Sequence, residues 1–247
     1  MPEHAPNMRT EVRHIMGMPI GIELRDAGVD VEPAFDWLRH VDATFSTYKP
    51  DSEISRLDRG EIALRDCSPE VDEVLTRCLA LLRETRGYFD VRAGGRLDPS
   101  GLVKGWAVAG AADRLAAAGA RDFLVNAGGD VIARGGPWRI GIRHPVEHDA
   151  VAAVVVGEDI AVATSGEYER GRHVIDPHTG RPPDGLLSVT IVGPELANAD
   201  AYATAAFAMG ADGPGWTATL GDYDAMCITT DHRVLSTPGF ARHRAPG

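Results

Sequence analysis

Between Pro33 and Phe45 the apolar residues Phe35, Leu38, Val41 and Phe45 return every three or four positions, which gathers them on one face of a helix. Pro33 suits the first turn of that helix, where no backbone N–H is needed. Val71, Val74, Leu75, Cys78, Leu81 and Leu82 repeat the spacing after Ser68-Pro69-Glu70, a cap followed by a first-turn proline, and Gly87 stops the run. Asp51 or Ser52 caps a short helix through Leu57. An alanine-rich helix is predicted over 102–118, closed by Gly119, another over 197–209, and a short one over 215–220.

Elsewhere the pattern shortens to runs of β-branched and aromatic residues. These predict strands over 123–126, 131–133, 138–142, 152–156, 160–163, 173–176 and 187–192. Turn residues such as Gly128-Gly129-Asp130 and Asp176-Pro177-His178-Thr179-Gly180 join them. Residues 13–24 read as one strand broken by Gly17 and Pro19, 88–91 as a strand or strand end, and 230–233 as the tip of a hairpin. The connections are too short for repeated βαβ units, so the class is α+β.

Composition narrows the function. The chain has 247 residues, a net charge of −11, 44% hydrophobic and 25% charged residues, so a basic nucleic-acid binder is excluded and an ordinary globular core is expected. No stretch has the roughly 18 consecutive apolar residues of a membrane span. The first ten residues lack an apolar segment behind their charges and read as a disordered start to a cytoplasmic protein. Cys67, Cys78 and Cys227 have neither the number nor the spacing of a disulfide framework or zinc site and are expected to be buried or half-buried thiols.

Five clusters hold candidate chemistry. Phe45-Ser46-Thr47-Tyr48 precedes the hydroxyl-rich helix start Ser52 to Leu57, where a ring can stack on a planar ligand, although the same residues also describe a capped helix behind a core tyrosine. Asp90 ends Gly87-Tyr88-Phe89-Asp90, where its carboxylate either accepts from a ligand or caps a turn. Lys104 follows Asp98-Pro99-Ser100-Gly101 in the first turns of a helix, against the helix dipole, where it can reach an anion. His173 opens Val174-Ile175-Asp176 and can serve as a base, while Ser165 in Thr164-Ser165-Gly166 lacks the G-x-S-x-G context of a hydrolase nucleophile. Asp200 and Thr204 share one helix face and offer two oxygens to a hard cation, or else serve only the helix backbone.

In order and spacing these clusters, with Asn126-Ala127-Gly128-Gly129-Asp130, resemble the FAD:protein FMN transferase (ApbE-type) family from about Met16 to Thr237. The resemblance implies one domain over 1–247, an α+β fold of two interleaved α/β lobes with mixed sheets. It implies magnesium-dependent transfer of FMN from FAD to a threonine or serine of an acceptor protein, in a motif like Asp-x-x-Ser-Gly-Ala-Thr, with release of AMP. By that resemblance Asp200, Thr204 and the carbonyl near Gly101 hold the metal. Met16, Tyr48, Asp90, Lys104, His173 and Ile175 contact FAD, and His173 activates the acceptor hydroxyl. Only Val91 to Leu97 separates Asp90 from Asp98, a shorter segment than the family usually carries there. The alternatives are an FAD-binding protein without transfer and a metal-dependent FAD pyrophosphatase giving FMN and AMP.

Overall fold

The structure, a computed structural model, describes residues 8–147, 149–166 and 174–245. Among the described residues ten strands are ordered as β1 (Arg9–Ile15), β2 (Met18–Leu24), β3 (Phe123–Ala127), β4 (Asp130–Arg134), β5 (Trp138–Arg143), β6 (Val151–Gly157), β7 (Ala161–Gly166), β8 (Leu186–Gly193), β9 (Asp224–Thr229) and β10 (Val234–Ser236). The helices are α1 (Glu32–Phe45), α2 (Glu53–Asp58), α3 (Pro69–Glu84), α4 (Ser100–Ala117), α5 (Leu196–Ala208) and α6 (Gly213–Thr217).

Eight strands form one sheet in the order β1-β2-β3-β4-β7-β8-β9-β10, which is also their order along the chain. Each longer connection leaves one strand and returns to the adjoining end of its neighbour. Leu24 at the end of β2 pairs with Phe123 at the start of β3, with α1 to α4 inserted between them. Val192 pairs with Asp224 across the insertion of α5 and α6, and Val131 with Val162 across that of β5 and β6. The expected mixed sheets are therefore corrected to antiparallel pairing in every described strand pair, because no connection crosses over to re-enter a neighbour from the opposite end.

The helical insertions and the β5–β6 insertion all lie at one end of the sheet. The short turns Met16-Gly17 and Gly128-Gly129 lie at the other, together with the end of β7. Alternating residues separate the two faces of the sheet: Phe123, Val125, Ile132 and Ala163 pack with the helices, while Leu124, Val131, Val162 and Met226 pack against the β5–β6 hairpin and Phe240. The result is three layers of helices, sheet and hairpin.

The predicted helices form, and Ser52 caps α2 by accepting from the Ser55 N–H at 3.1 Å. Cys78 and Cys227 are buried and Cys67 is half-buried. Three strand expectations are corrected. Residues 13–24 are a hairpin and not one broken strand, since Met16 and Gly17 both take left-handed backbone angles, and pairing begins at Arg9. Residues 88–91 form a bend: Gly87 has φ of 89° and the Phe89 N–H donates to Thr85 Oγ1, so no strand partner is engaged. Of 173–176, His173 falls outside the described residues; Val174 and Ile175 lie in no strand, and Asp176 makes one isolated bridge to Arg181 that closes a tight turn. Among the described residues no helix is long and apolar enough to cross a membrane.

Candidate active site

The site forms where α4 and α5 meet the end of the sheet that carries the short turns. Gly105 lets the two helices touch. A Cβ there would lie 2.6 Å from the carbonyl oxygen of Leu196 and 2.9 Å from Cα of Ala197, distances no side-chain carbon tolerates. Asp200, one turn further along α5, is thereby buried against α4, and its Oδ2 accepts from the Gly105 N–H at 3.0 Å. In a regular helix that N–H pairs with the Gly101 carbonyl, so its bond to Asp200 competes with that pairing. Thr204, one further turn on, places Oγ1 3.3 Å from Ser165 Oγ on β7 and 3.3 Å from where a Gly101 Cβ would be.

Lys104 projects between two carboxylates. Its Nζ is 2.8 Å from Asp130 Oδ2 and 3.9 Å from Asp200 Oδ1. Asp130 opens β4 immediately after Gly128 and Gly129, which take φ of 60° and 95° in the two-residue turn from β3. Its Oδ1 accepts from the Thr164 N–H of β7 at 3.2 Å, which fixes the carboxylate while it faces the lysine. Burial first, then the negative charge of Asp130, hold the Asp200 carboxyl well above the ordinary carboxylate range; Lys104 and the Gly105 N–H oppose that rise.

These residues open onto a cavity of about 300 Å³ whose walls include Asp90, Gly101, Lys104, Ile175, Asp200 and Thr204. Six of the residues expected at the site are thus brought together. Met16 and Tyr48 are not on this cavity. They line a smaller one of about 60 Å³ that shares Ser100 and Lys104 with it. Met16 adopts φ of 57°, unusual for a residue with a side chain, and Tyr48 is 89% exposed. Asp90 points its carboxylate partly inward on itself, accepting from the Arg92 N–H at 2.8 Å. His173 lies outside the described residues.

Two residues were given no role by sequence reasoning. Asp130 is fully buried and is an immediate partner of Lys104. In the sequence it reads only as the last residue of the Gly128-Gly129-Asp130 turn. Ser165, discounted as a nucleophile, faces Thr204. The oxygen donors Asp200, Thr204, Ser165 and the Gly101 carbonyl are of the hard type that suits magnesium. Among the described residues, however, no group of three or more His, Cys, Asp or Glu side chains is assembled.

The ApbE family model matches residues 16–96 and 92–227. A protein of Rhodobacter capsulatus named FAD:protein FMN transferase is 39% identical over 156 residues, 58% of this chain and 30% of that protein. One of Haemophilus influenzae with the same name is 27% identical over 245 residues, 71% of each. The chain spans well under half the length of the Rhodobacter relative and of the Vibrio cholerae one, where the match covers 39%. The solved flavin transferase ApbE from Vibrio cholerae superposes with a TM-score of 0.83 at 24% identity, covering 96% of this chain and 99% of that one. The Thermotoga maritima ApbE protein gives 0.88 at 20% identity, covering 97% and 100%. These two likenesses establish the fold. From the family match, which runs over most of the sequence, the chain belongs to the ApbE family.

Proposed function

We propose that the protein transfers FMN from FAD to a threonine or serine hydroxyl of an acceptor protein, with magnesium, releasing AMP. The observation that carries this reading is the placement of Lys104 between Asp130 and Asp200 on the wall of a cavity that Asp90, Ile175 and Thr204 share. An ammonium held at a fixed point in a partly dry cleft suits a pyrophosphate, whose cleavage develops charge on the leaving phosphate. The names of the curated relatives agree with such a substrate.

In this reading the acceptor oxygen attacks the phosphorus on the FMN side, the bond to the AMP phosphate breaks, and the hydroxyl proton passes to a base. His173 is that base, and it also contacts FAD. Asp200, Thr204 and the Gly101 carbonyl would hold the magnesium ion, which would supply positive charge to stabilise the leaving phosphate. Lys104, 3.9 Å from Asp200, would add its own positive charge to the phosphates. Asp90, Ile175, Met16 and Tyr48 hold the rest of FAD, with the Tyr48 ring free to stack. The acceptor carries an Asp-x-x-Ser-Gly-Ala-Thr-like motif, and the protein acts in the cytoplasm.

The test is mass spectrometry of a peptide with that motif after incubation with the protein, FAD and magnesium. A covalent FMN adduct that disappears with chelator is expected. Free FMN and AMP without adduct would make the protein a pyrophosphatase, and intact retained FAD would make it a binder.

A further inference from the structure

The β5–β6 hairpin covers only part of the sheet's second face. The same face of β1 and β2 is left open, with Val12 and Pro19 exposed and Gly21 between them. Beside this open shelf runs one edge of β5. The hairpin's other edge is occupied, since Val155 of β6 bridges Arg244 and the Ala245 N–H donates to the Val154 carbonyl at 2.9 Å. Among the described residues no backbone bond reaches the free edge of β5.

Shelf and edge enclose a groove of about 650 Å³, and the consecutive run Ile140 to Arg143 lines it, as an open strand edge must. Trp138, at the beginning of β5, stacks under Arg25 at the helical end of the sheet. From there the groove leads to Gly128, Thr164 and Lys104, so Lys104 belongs both to this groove and to the candidate active site.

The side chains of β5 alternate. Trp138, Ile140 and Ile142 are buried on the sheet, while Arg139, Gly141 and Arg143 point outward. Neither arginine has an ion-pair partner among the described residues, in a chain whose net charge is −11. An exposed edge with two unpaired cations four residues apart suits an added strand that carries acidic residues on its outer face. Gly21 leaves room beneath its inner face.

We propose that the acceptor protein docks as an extended acidic strand along the free edge of β5, opposite Arg139 and Arg143, and feeds its hydroxyl residue past Gly128 toward Lys104. This rests on the transferase reading above, but its primary test does not need transfer.

Fluorescence anisotropy of a fluorescein-labelled acceptor-motif peptide would be measured against the full chain, against R139E/R143E, and against R83E on α3 as a remote charge reversal. The double variant should bind the peptide at least about tenfold more weakly, and a peptide with its Asp replaced by Lys should regain affinity for that variant. FAD affinity, followed by flavin fluorescence, should be unchanged in all three proteins. Unchanged peptide affinity in R139E/R143E, or an equal loss in R83E, would overturn the docking surface and leave the arginines as guards against edge-to-edge association. Peptide binding that needs the arginines but yields no adduct would instead sink the transferase reading and keep the surface.

Discussion

Lys104 Nζ, on the wall of the active-site cavity, lies 2.8 Å from Oδ2 of Asp130, a side chain with no exposed surface behind it. The pair holds the ammonium at one point and directs it. Removing one member of a buried ion pair costs about 3–5 kcal/mol when the other is left alone. Asp200 stays 3.9 Å from the lysine, so Asp130→Asn is expected at the low end, about 3 kcal/mol in urea unfolding. Adding Lys104→Met to that variant should recover part of the loss. No recovery would mean that the two groups are not energetically paired.

Gly105→Ala tests the contact that builds the site. The new methyl would press on the Leu196 carbonyl, so α4 and α5 must separate. Overpacking of this kind costs about 1–3 kcal/mol. Turnover should fall further than stability does, because Asp200 moves with α5. A fully active Gly105→Ala enzyme would show that the spacing of the two helices is not what sets the site.

Much of this arrangement was visible in the sequence before any coordinates. Phe35, Leu38, Val41 and Phe45 fixed the buried face of α1, and the one-turn spacing of Asp200 and Thr204 placed both oxygens on one side of α5. Asp130 stayed hidden because its importance arises from pairing between β4 and β7, a long-range relation that no local pattern encodes. The first hairpin was hidden for the opposite reason. Its left-handed turn uses Met16 before Gly17, where Asn-Gly would have announced it. Tyr88-Phe89-Asp90 misled through composition: residues that favour strands were bent by Gly87 and by the Thr85 hydroxyl.

On the proposed reading, Asp200→Ala should abolish magnesium-dependent turnover while some FAD still binds, and His173→Ala should slow transfer by roughly 10²–10⁴-fold, far beyond any loss of FAD affinity. Stopped-flow transfer assays alongside FAD titration separate the two effects. A His173→Ala enzyme with normal transfer would remove it as the base.

Tyr48 is 89% exposed, which wastes an aromatic ring unless something covers it. Tyr48→Ala should leave thermal stability unchanged and weaken FAD binding by about 1 kcal/mol, the usual worth of a stacked ring. Equal affinity in calorimetry would place FAD elsewhere.

Acid should loosen the C-terminal segment. Asp224 accepts from Thr237 Oγ1 at 2.9 Å, Arg242 at 2.8 Å and His243 at 3.1 Å. Burial pushes this carboxyl up, but Arg242, Thr237 and His243 outweigh that and hold it below its ordinary value of 3.8. A carboxyl lowered in the folded state adds stability that is complete above the ordinary value and is lost as pH falls through the lowered one. Limited proteolysis within 237–245 should therefore accelerate below about pH 4, and Asp224→Asn should be cut readily at neutral pH. Equal cutting of both proteins at pH 6 would refute the clamp.

The pairing of Leu24 with Phe123 also sets an order for folding. Hairpins such as β1–β2 and β3–β4 close over two residues, whereas the seam between β2 and β3 must enclose the whole of α1 to α4. Closing so long a loop carries an entropic penalty that only the docked helices repay. The seam is therefore expected to close after the short hairpins on either side of it, an order that φ-values at Leu24 and Phe123 would test.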